Sequence, residues 1–230
     1  MRAIVKWSKK ILLWLCLLFL LAQLWFFACV VYWRFYNPQQ THFMTLRLDE
    51  LQQKNLQAKL QYQWVSYDKI SINLKRAVVA SEDDKFLEHN GFDWDGIEYA
   101  LNKNQRKGKR MAGGSTITQQ LAKNLFLSPS RSYARKFQEA IITVMIESLW
   151  SKRRILEVYL NVVEWGNGTF GAEAGARRHF GQSAAALSEY QAVRMAVMLP
   201  NPRKFERNPP AYVINHANSV LQRMGYSAIP

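Results

Sequence analysis

The chain has 230 residues, a formal net charge of +14 and two cysteines. That length holds one membrane anchor and one domain of ordinary size. Both cysteines, Cys16 and Cys29, fall in one apolar stretch, so a disulfide scaffold is excluded and the rest of the chain is held by its core alone.

Ile11 to Trp33 forms 23 consecutive residues without a charge, broken only by the polar Gln23. This is long enough to span a bilayer and too long for an ordinary signal-peptide core. No small-residue cleavage site follows, and Phe26-Phe27-Ala28-Cys29 lacks the small or aliphatic residues of a lipoprotein box. Tyr32 and Trp33 close the span like an interfacial belt. The stretch therefore reads as an uncleaved anchor, with residues 1–10 as a cytoplasmic N-terminus and 11–33 as the transmembrane segment. Arg2, Lys6, Lys9 and Lys10 precede it and only Arg34 follows closely. The excess of positive charge before the span puts that end in the cytoplasm and the bulk outside. The outer part carries 27 Lys and Arg against 17 Asp and Glu. Such an excess suits an anionic partner. Outside the cytoplasm that partner is a membrane surface or a lipid phosphate, and nucleic acid is set aside.

Residues 34–64 read as a linker with Pro38 and a membrane-proximal helix, the latter from leucines at helical spacing between Thr45 and Leu60. Residues 65–230 read as the main domain. Ser71 can cap a helix carrying Ile72, Leu74, Val78 and Val79. Asp93 to Asn102 is a further helix, followed by a basic, glycine-containing loop from Gln105 to Gly114 that is expected to gate a cleft. A helix starts near Ser115 or Thr116, a turn falls at Ser128-Pro129-Ser130, and Ser132 opens a long helix through Leu149. Lys152 to Asn161 continues helical, and Gly166 to Gly171 breaks the chain. Helices over Ala172–Phe180, Ser188–Met198 and Ala211–Met224 complete the order. No long stretch alternates at period two, so the fold class is all-α, without repeats.

Three segments carry candidate chemistry. In Gly113 to Leu127, GGSTITQQLAKNLFL, two glycines run into a helix start where Thr116 and Gln119 fit a capping box. The helix's free N–H groups and positive dipole end suit a phosphate or sugar oxygen, and Lys123 lies one turn beyond Gln119. An ordinary surface helix start reads the same way. In the second segment Glu82 ends the apolar run Ala77 to Ala80. A carboxylate partly desolvated there has its pKa raised towards that of a general base. A solvated acidic helix end remains open at this point, and His89 nearby reads as a hydrogen-bonding scaffold. In the third, Arg135 and Lys136 stand four and three residues before Glu139. That spacing gives either a surface ion-pair ladder or a carboxylate ringed by cations. Ser66 to Lys69 matches S-x-x-K, but no K-T-G follows. The chain has no H-E-x-x-H, no cysteine cluster and no G-x-G-x-x-G.

Taken in order, these segments resemble glycosyltransferase family 51, the peptidoglycan glycosyltransferases. E-D-x-x-F-x-x-H-x-G matches Glu82 to Gly91, G-x-S-T-I-T-Q-Q matches Gly113 to Gln120, R-K-x-x-E matches Arg135 to Glu139, and K-x-x-I-L-E-x-Y-L-N matches Lys152 to Asn161. The likeness covers about residues 65 to 205, and it is to monofunctional members, since no penicillin-binding domain follows. The resemblance implies a lysozyme-like, all-α head with a small membrane-associated jaw. It implies polymerisation of lipid II onto a growing lipid-linked glycan, with inversion to a β-1,4 link and release of undecaprenyl pyrophosphate. Carried over residue by residue, Glu82 is the general base and Glu139 a second carboxylate near the donor pyrophosphate. Lys123, Arg131, Arg135 and Lys136 are the pyrophosphate cations. Ser115, Thr116, Gln119, Gln120 and Asn161 bind sugar or phosphate. A divalent cation, Mg²⁺ or Mn²⁺, is a candidate near Glu139, and divisome or penicillin-binding proteins are candidate partners. A muramidase-like lytic enzyme would share a catalytic Glu but not need the cations, and a non-catalytic scaffold would not need Glu82.

Overall fold

The structure is a computed structural model that describes residues 2–107, 114–130 and 132–230. The chain divides into two compact units, Met1–Asn37 and Pro38–Pro230. The first is one continuous helix, α1 (Arg2–Phe35). Within it Trp7–Phe35 is long and apolar enough to cross a membrane, since a bilayer core needs about 20 helical residues.

The second unit is helical, as the sequence pattern leads one to expect. It opens with α2 (His42–Gln52), whose N-cap Thr41 accepts from the Met44 N–H. The sequence reading carried this helix from Thr45 on to Leu60. It stops earlier because Asn55 folds the chain back, its side chain accepting from the Gln57 N–H, and residues 61–62 join a sheet. Arg47 of α2 is buried in an ion pair with Glu164, 2.8 Å away. Residues 38–64 are thus packed into this unit, rather than serving as a linker.

Next come β1 (Gln61–Tyr62), α3 (Ile72–Glu82) and α4 (Trp94–Lys107), then α5 (Ile117–Phe126), α6 (Tyr133–Leu149) and α7 (Lys152–Val162). Helix α4 runs through Lys107, past the expected helix end at Asn102, so the basic loop begins later than its composition suggested. Gly108 to Gly113 of that loop lie outside the described residues. The strands β2 (Glu164–Gly166) and β3 (Thr169–Phe170) precede α8 (Ala172–Phe180), α9 (Glu189–Ala196), α10 (Pro202–Phe205) and α11 (Ala211–Arg223). The three strands form a small sheet in the order β1-β3-β2, parallel between β1 and β3 and antiparallel between β2 and β3. Two- and three-residue strands carry no readable alternation, which is why the sequence pattern showed none.

Two helix packings place the functional side chains. Helix α3 lies against α9 and α11, and it buries Leu74, Ala77 and Val78 completely. Helix α5 packs on both α6 and α7, burying Leu121, Leu125, Ile142, Ile146, Ile155 and Tyr159. Truncating one such buried Ile or Leu to Ala typically costs about 2–5 kcal/mol. The C-terminal end of α3 and the N-terminal end of α5 are therefore held by separate parts of one core.

Candidate active site

Glu82 is the last residue of α3 and lines a cavity of about 190 Å³ with Ser81, Asp84, Ser115 and Arg223. One carboxylate oxygen, Oε2, accepts a 2.8 Å hydrogen bond from Gln120 Nε2. Gln120 Oε1 in turn accepts from the hydroxyl of Tyr159 at 3.0 Å. That phenol is fully buried, and burial holds its pKa well above the ordinary value, so Tyr159 stays a donor and fixes which way the Gln120 amide faces. The other oxygen, Oε1, lies 3.5 Å from Ser81 Oγ. Burial raises the pKa of Glu82, against the opposing pull of Gln120, the Lys123 charge and Ser81. Desolvation is thus the larger effect here, and it makes the carboxylate more basic.

Asp83, one residue on, has a different environment. Its Oδ2 accepts the Ile117 N–H at 2.9 Å and its Oδ1 contacts His89 Nε2 at 2.8 Å. Since His89 Nδ1 accepts the Gly91 N–H, Nε2 carries the proton and donates to Asp83. The capping box at Thr116 and Gln119 is formed as read from the sequence. Its helix end, however, meets the protein's own carboxylate, with Ile117 N–H taken by Asp83 and Gln119 N–H by Thr116 Oγ1. The expected seat for a phosphate at the start of α5 is therefore filled. What Asp83 does instead is pin α5 to the end of α3, which brings Gln120 onto Glu82. Gly114, ahead of α5, lies close against α4: a Cβ there would lie 3.1 Å from Ile97 Cα.

Glu139 is 3% exposed on α6. Its Oε2 pairs with Arg135 Nη1 at 2.5 Å and its Oε1 with Lys136. Lys136 Nζ also donates to Ser115 Oγ at 3.2 Å, which ties this cluster to the wall of the Glu82 cavity. Lys123 of α5 stands in the field of both carboxylates, with Arg135 and Lys136 facing it from α6. Burial lowers its pKa most, and Glu139 and Glu82 oppose that shift. Gln120 and Lys123 also line a second cavity of about 170 Å³, beside Asn124 and Arg203. Glu139 does not fit the role of metal ligand, because both of its oxygens are already held by cations. Among the described residues no group of three or more His, Cys, Asp and Glu is placed to hold a metal ion.

The structure thus gathers Glu82, Gln120, Ser115, Lys123, Arg135, Lys136 and Glu139. Arg131 lies outside the described residues. Thr116, Gln119 and Asn161 are turned inward. Thr116 donates to Gly91 O at 2.7 Å, and Gln119 Oε1 accepts the Thr116 N–H. Asn161 is fully buried; its Oδ1 accepts the Val65 N–H and its Nδ2 donates to Val65 O and Glu157 O, each at 2.9 Å. Asn161→Ala should therefore cost about 2–4 kcal/mol of stability by orphaning buried backbone groups. Chemical denaturation would show it, and KM should barely move. A large rise in KM at wild-type stability would restore Asn161 to substrate binding. Ser81, Tyr159, His216 and Arg223 were not among the residues expected here. Their signal is purely tertiary, apart from Tyr159, whose inward position follows from helical spacing.

Residues 49–225 match the family model described as Transglycosylase. The chain belongs to the transglycosylase family. It is 61% identical over 230 residues to a protein of Azoarcus sp. (strain BH72) named "Biosynthetic peptidoglycan transglycosylase", the match covering 100% of both chains. Proteins of the same name from Aromatoleum aromaticum and Dechloromonas aromatica are 58% and 55% identical, again over 100% of each chain. The transglycosylase match includes every residue gathered around Glu82 and Glu139.

Proposed function

We propose that this chain is a peptidoglycan glycosyltransferase that polymerises lipid II into β-1,4 glycan strands, with Glu82 as the base and the cluster around Glu139 as the pyrophosphate clamp. The observation that carries the assignment of roles is the electrical division of the site. Among the described residues, the lining of the cavity at Glu82 sets Asp83, Asp84 and Asp93 beside it against a single cation, Arg223. It suits a neutral sugar hydroxyl and repels phosphate. Lys123, Arg135 and Lys136 make the neighbouring region cationic, which suits pyrophosphate.

The chemistry follows from that division. Glu82 takes the proton from the 4-hydroxyl of the acceptor GlcNAc as its oxygen attacks C1 of the donor MurNAc, and the C1–O bond to the lipid pyrophosphate breaks. A positioned base contributes about 10²- to 10⁴-fold to such an attack by a weak nucleophile. The leaving pyrophosphate departs as an anion, so it requires cations more than an acid. Cleavage of a glycoside by the usual pair would need a second free carboxylate beside the acid, and the fully paired Glu139 is no such group. This favours transfer over a muramidase-like reaction. A divalent ion would enter the site with the pyrophosphate it neutralises. Glu139 holds Arg135 and Lys136 in place and balances their charge.

The anchor puts the enzyme where its lipid substrate lies. The basic residues before the span favour the inner membrane with the catalytic unit in the periplasm, where divisome and penicillin-binding proteins are fitting partners. Exposed Trp94, Tyr99 and Leu101 on α4 and Tyr133 and Phe137 on α6 support contact of this part with the membrane. A phosphatase that works only outside the cytoplasm, fused after Pro230, should be active. A silent phosphatase together with an active cytoplasmic reporter at the same site would reverse the orientation.

A further inference from the structure

Ser81 and His216 lie outside the motif segments quoted for the family in this sequence, yet together they form a chain that ends at the carboxylate at the centre of the site. Ser81 is the next-to-last residue of α3 and lines the Glu82 cavity. His216 is on α11, 135 positions away in sequence, and its Nε2 lies 3.2 Å from Ser81 Oγ. Ser81 Oγ is in turn 3.5 Å from Glu82 Oε1. Gln120, its amide fixed by Tyr159, already holds Oε2, so Oε1 is the oxygen left to work on substrate, and Ser81 is the group nearest it.

We propose that His216 is a positioning residue for Glu82, acting through Ser81. A serine hydroxyl has one proton and two lone pairs. If that proton is given to Glu82 Oε1, Ser81 must accept its other bond, and the Nε2–H of His216 supplies it. The imidazole thereby sets the direction of the serine proton, and the serine proton favours the ionised form of the carboxylate. In its Nε2–H tautomer neutral His216 donates in this way, as does the protonated ring. Burial, and then the charge of Arg223 about two turns along the same helix, lower its pKa, so the neutral form prevails at neutral pH.

Other groups face Glu82 as well. Lys123 and Gln120 from α5 favour its ionised form, and Asp83 opposes it. None of these contacts Ser81. Removing His216 should therefore free the serine proton to rotate away without disturbing the Gln120 contact. Glu82 would then be harder to ionise, and the acid side of the kcat profile would move to higher pH.

The proposal rests on Glu82 being the base, so Glu82→Gln is assayed in parallel on the full-length protein with lipid II. His216→Phe keeps ring bulk but removes the donor. It should lower kcat at neutral pH about tenfold, the order of one hydrogen bond to a charged group, leave KM unchanged, and raise the pH of the acid limb. Ser81→Ala should do the same, and the double variant should be no worse than either single one. His216→Gln, which retains a donor, should recover most of the loss. The recovery and the pH shift separate positioning from a packing role, and if His216→Phe does not fold, the glutamine and serine variants decide the matter. Wild-type kcat and acid limb in Ser81→Ala or His216→Phe, with Glu82→Gln inactive, would overturn this role alone. Full activity in Glu82→Gln would overturn the assignment of the base beneath it.

Discussion

Glu82→Gln should lower kcat for glycan synthesis by about 10²-fold or more while leaving KM for lipid II within about threefold. The amide keeps the shape of the side chain and can still meet Ser81 and Gln120, but it cannot take a proton. The fold should not suffer. Burial raises the pKa of Glu82, so ionising it at neutral pH costs more in the folded chain than in the unfolded one. By linkage this carboxylate opposes folding above its unfolded pKa, and the penalty vanishes as the pH falls. The variant's thermal midpoint should therefore equal or exceed that of the wild type. An active site that sacrifices stability for basicity behaves in this way. A variant that is inactive because it is unfolded would leave the base unassigned, so circular dichroism belongs with the kinetics. Near-normal polymerisation by a folded variant would sink the assignment.

Lys123→Ala should have an effect of similar size, about 10²-fold in kcat, with a smaller effect on lipid binding. The charge on the departing pyrophosphate grows as the C1–O bond breaks, so a cation aimed at it stabilises the transition state more than the bound substrate. The lysine's own ionisation gives a second reading of the same role. Burial foremost, with Arg135 and Lys136 adding, lowers the pKa of Lys123, against the pull of Glu139 and Glu82. Its charge is lost as the pH rises through that lowered value. The basic limb of kcat should consequently fall below the pH at which an ordinary lysine titrates, and Lys123→Ala should abolish that limb along with most of the rate. A variant with raised KM and unaltered kcat would reduce Lys123 to docking the lipid headgroup.

Local patterns made much of this molecule legible before its coordinates. The uncharged run from Ile11 to Trp33 needed only its length, and the apolar run before Glu82 was enough to place a carboxylate at the end of a buried helix. Thr116 and Gln119 announced their capping box, and it is formed. What the pattern did not contain was the partner of that helix end. Asp83 comes from 34 residues earlier, and it occupies the Ile117 N–H, one of those that an anion was expected to meet. Gln119 and Gln120 look alike in sequence, yet one step around the helix sends the first into the cap and the second onto Glu82. Asn161 presents the same difficulty. A polar residue ending an amphipathic helix reads as a ligand, whereas burial and three hydrogen bonds make it a strut. His216 had no local signal at all, since its meaning depends on α11 packing against α3. The contacts of Asp83, Gln120 and His216, and those of Asn161 with Val65, are long-range, and spacing along the chain does not encode them.

The central claim is that a desolvated Glu82 drives transfer of the growing glycan onto lipid II. The most direct test is the pH dependence of kcat for lipid II polymerisation by the purified full-length protein, beside Glu82→Gln, with glycan and undecaprenyl pyrophosphate both quantified. The wild type should make β-1,4 glycan and release one undecaprenyl pyrophosphate for each bond formed. Its rate should rise with pH through a single ionisation above the ordinary carboxylate range, and the residual rate of the variant should lack that rise. The same acid limb in both proteins, or a wild-type limb at the ordinary carboxylate position, would contradict it.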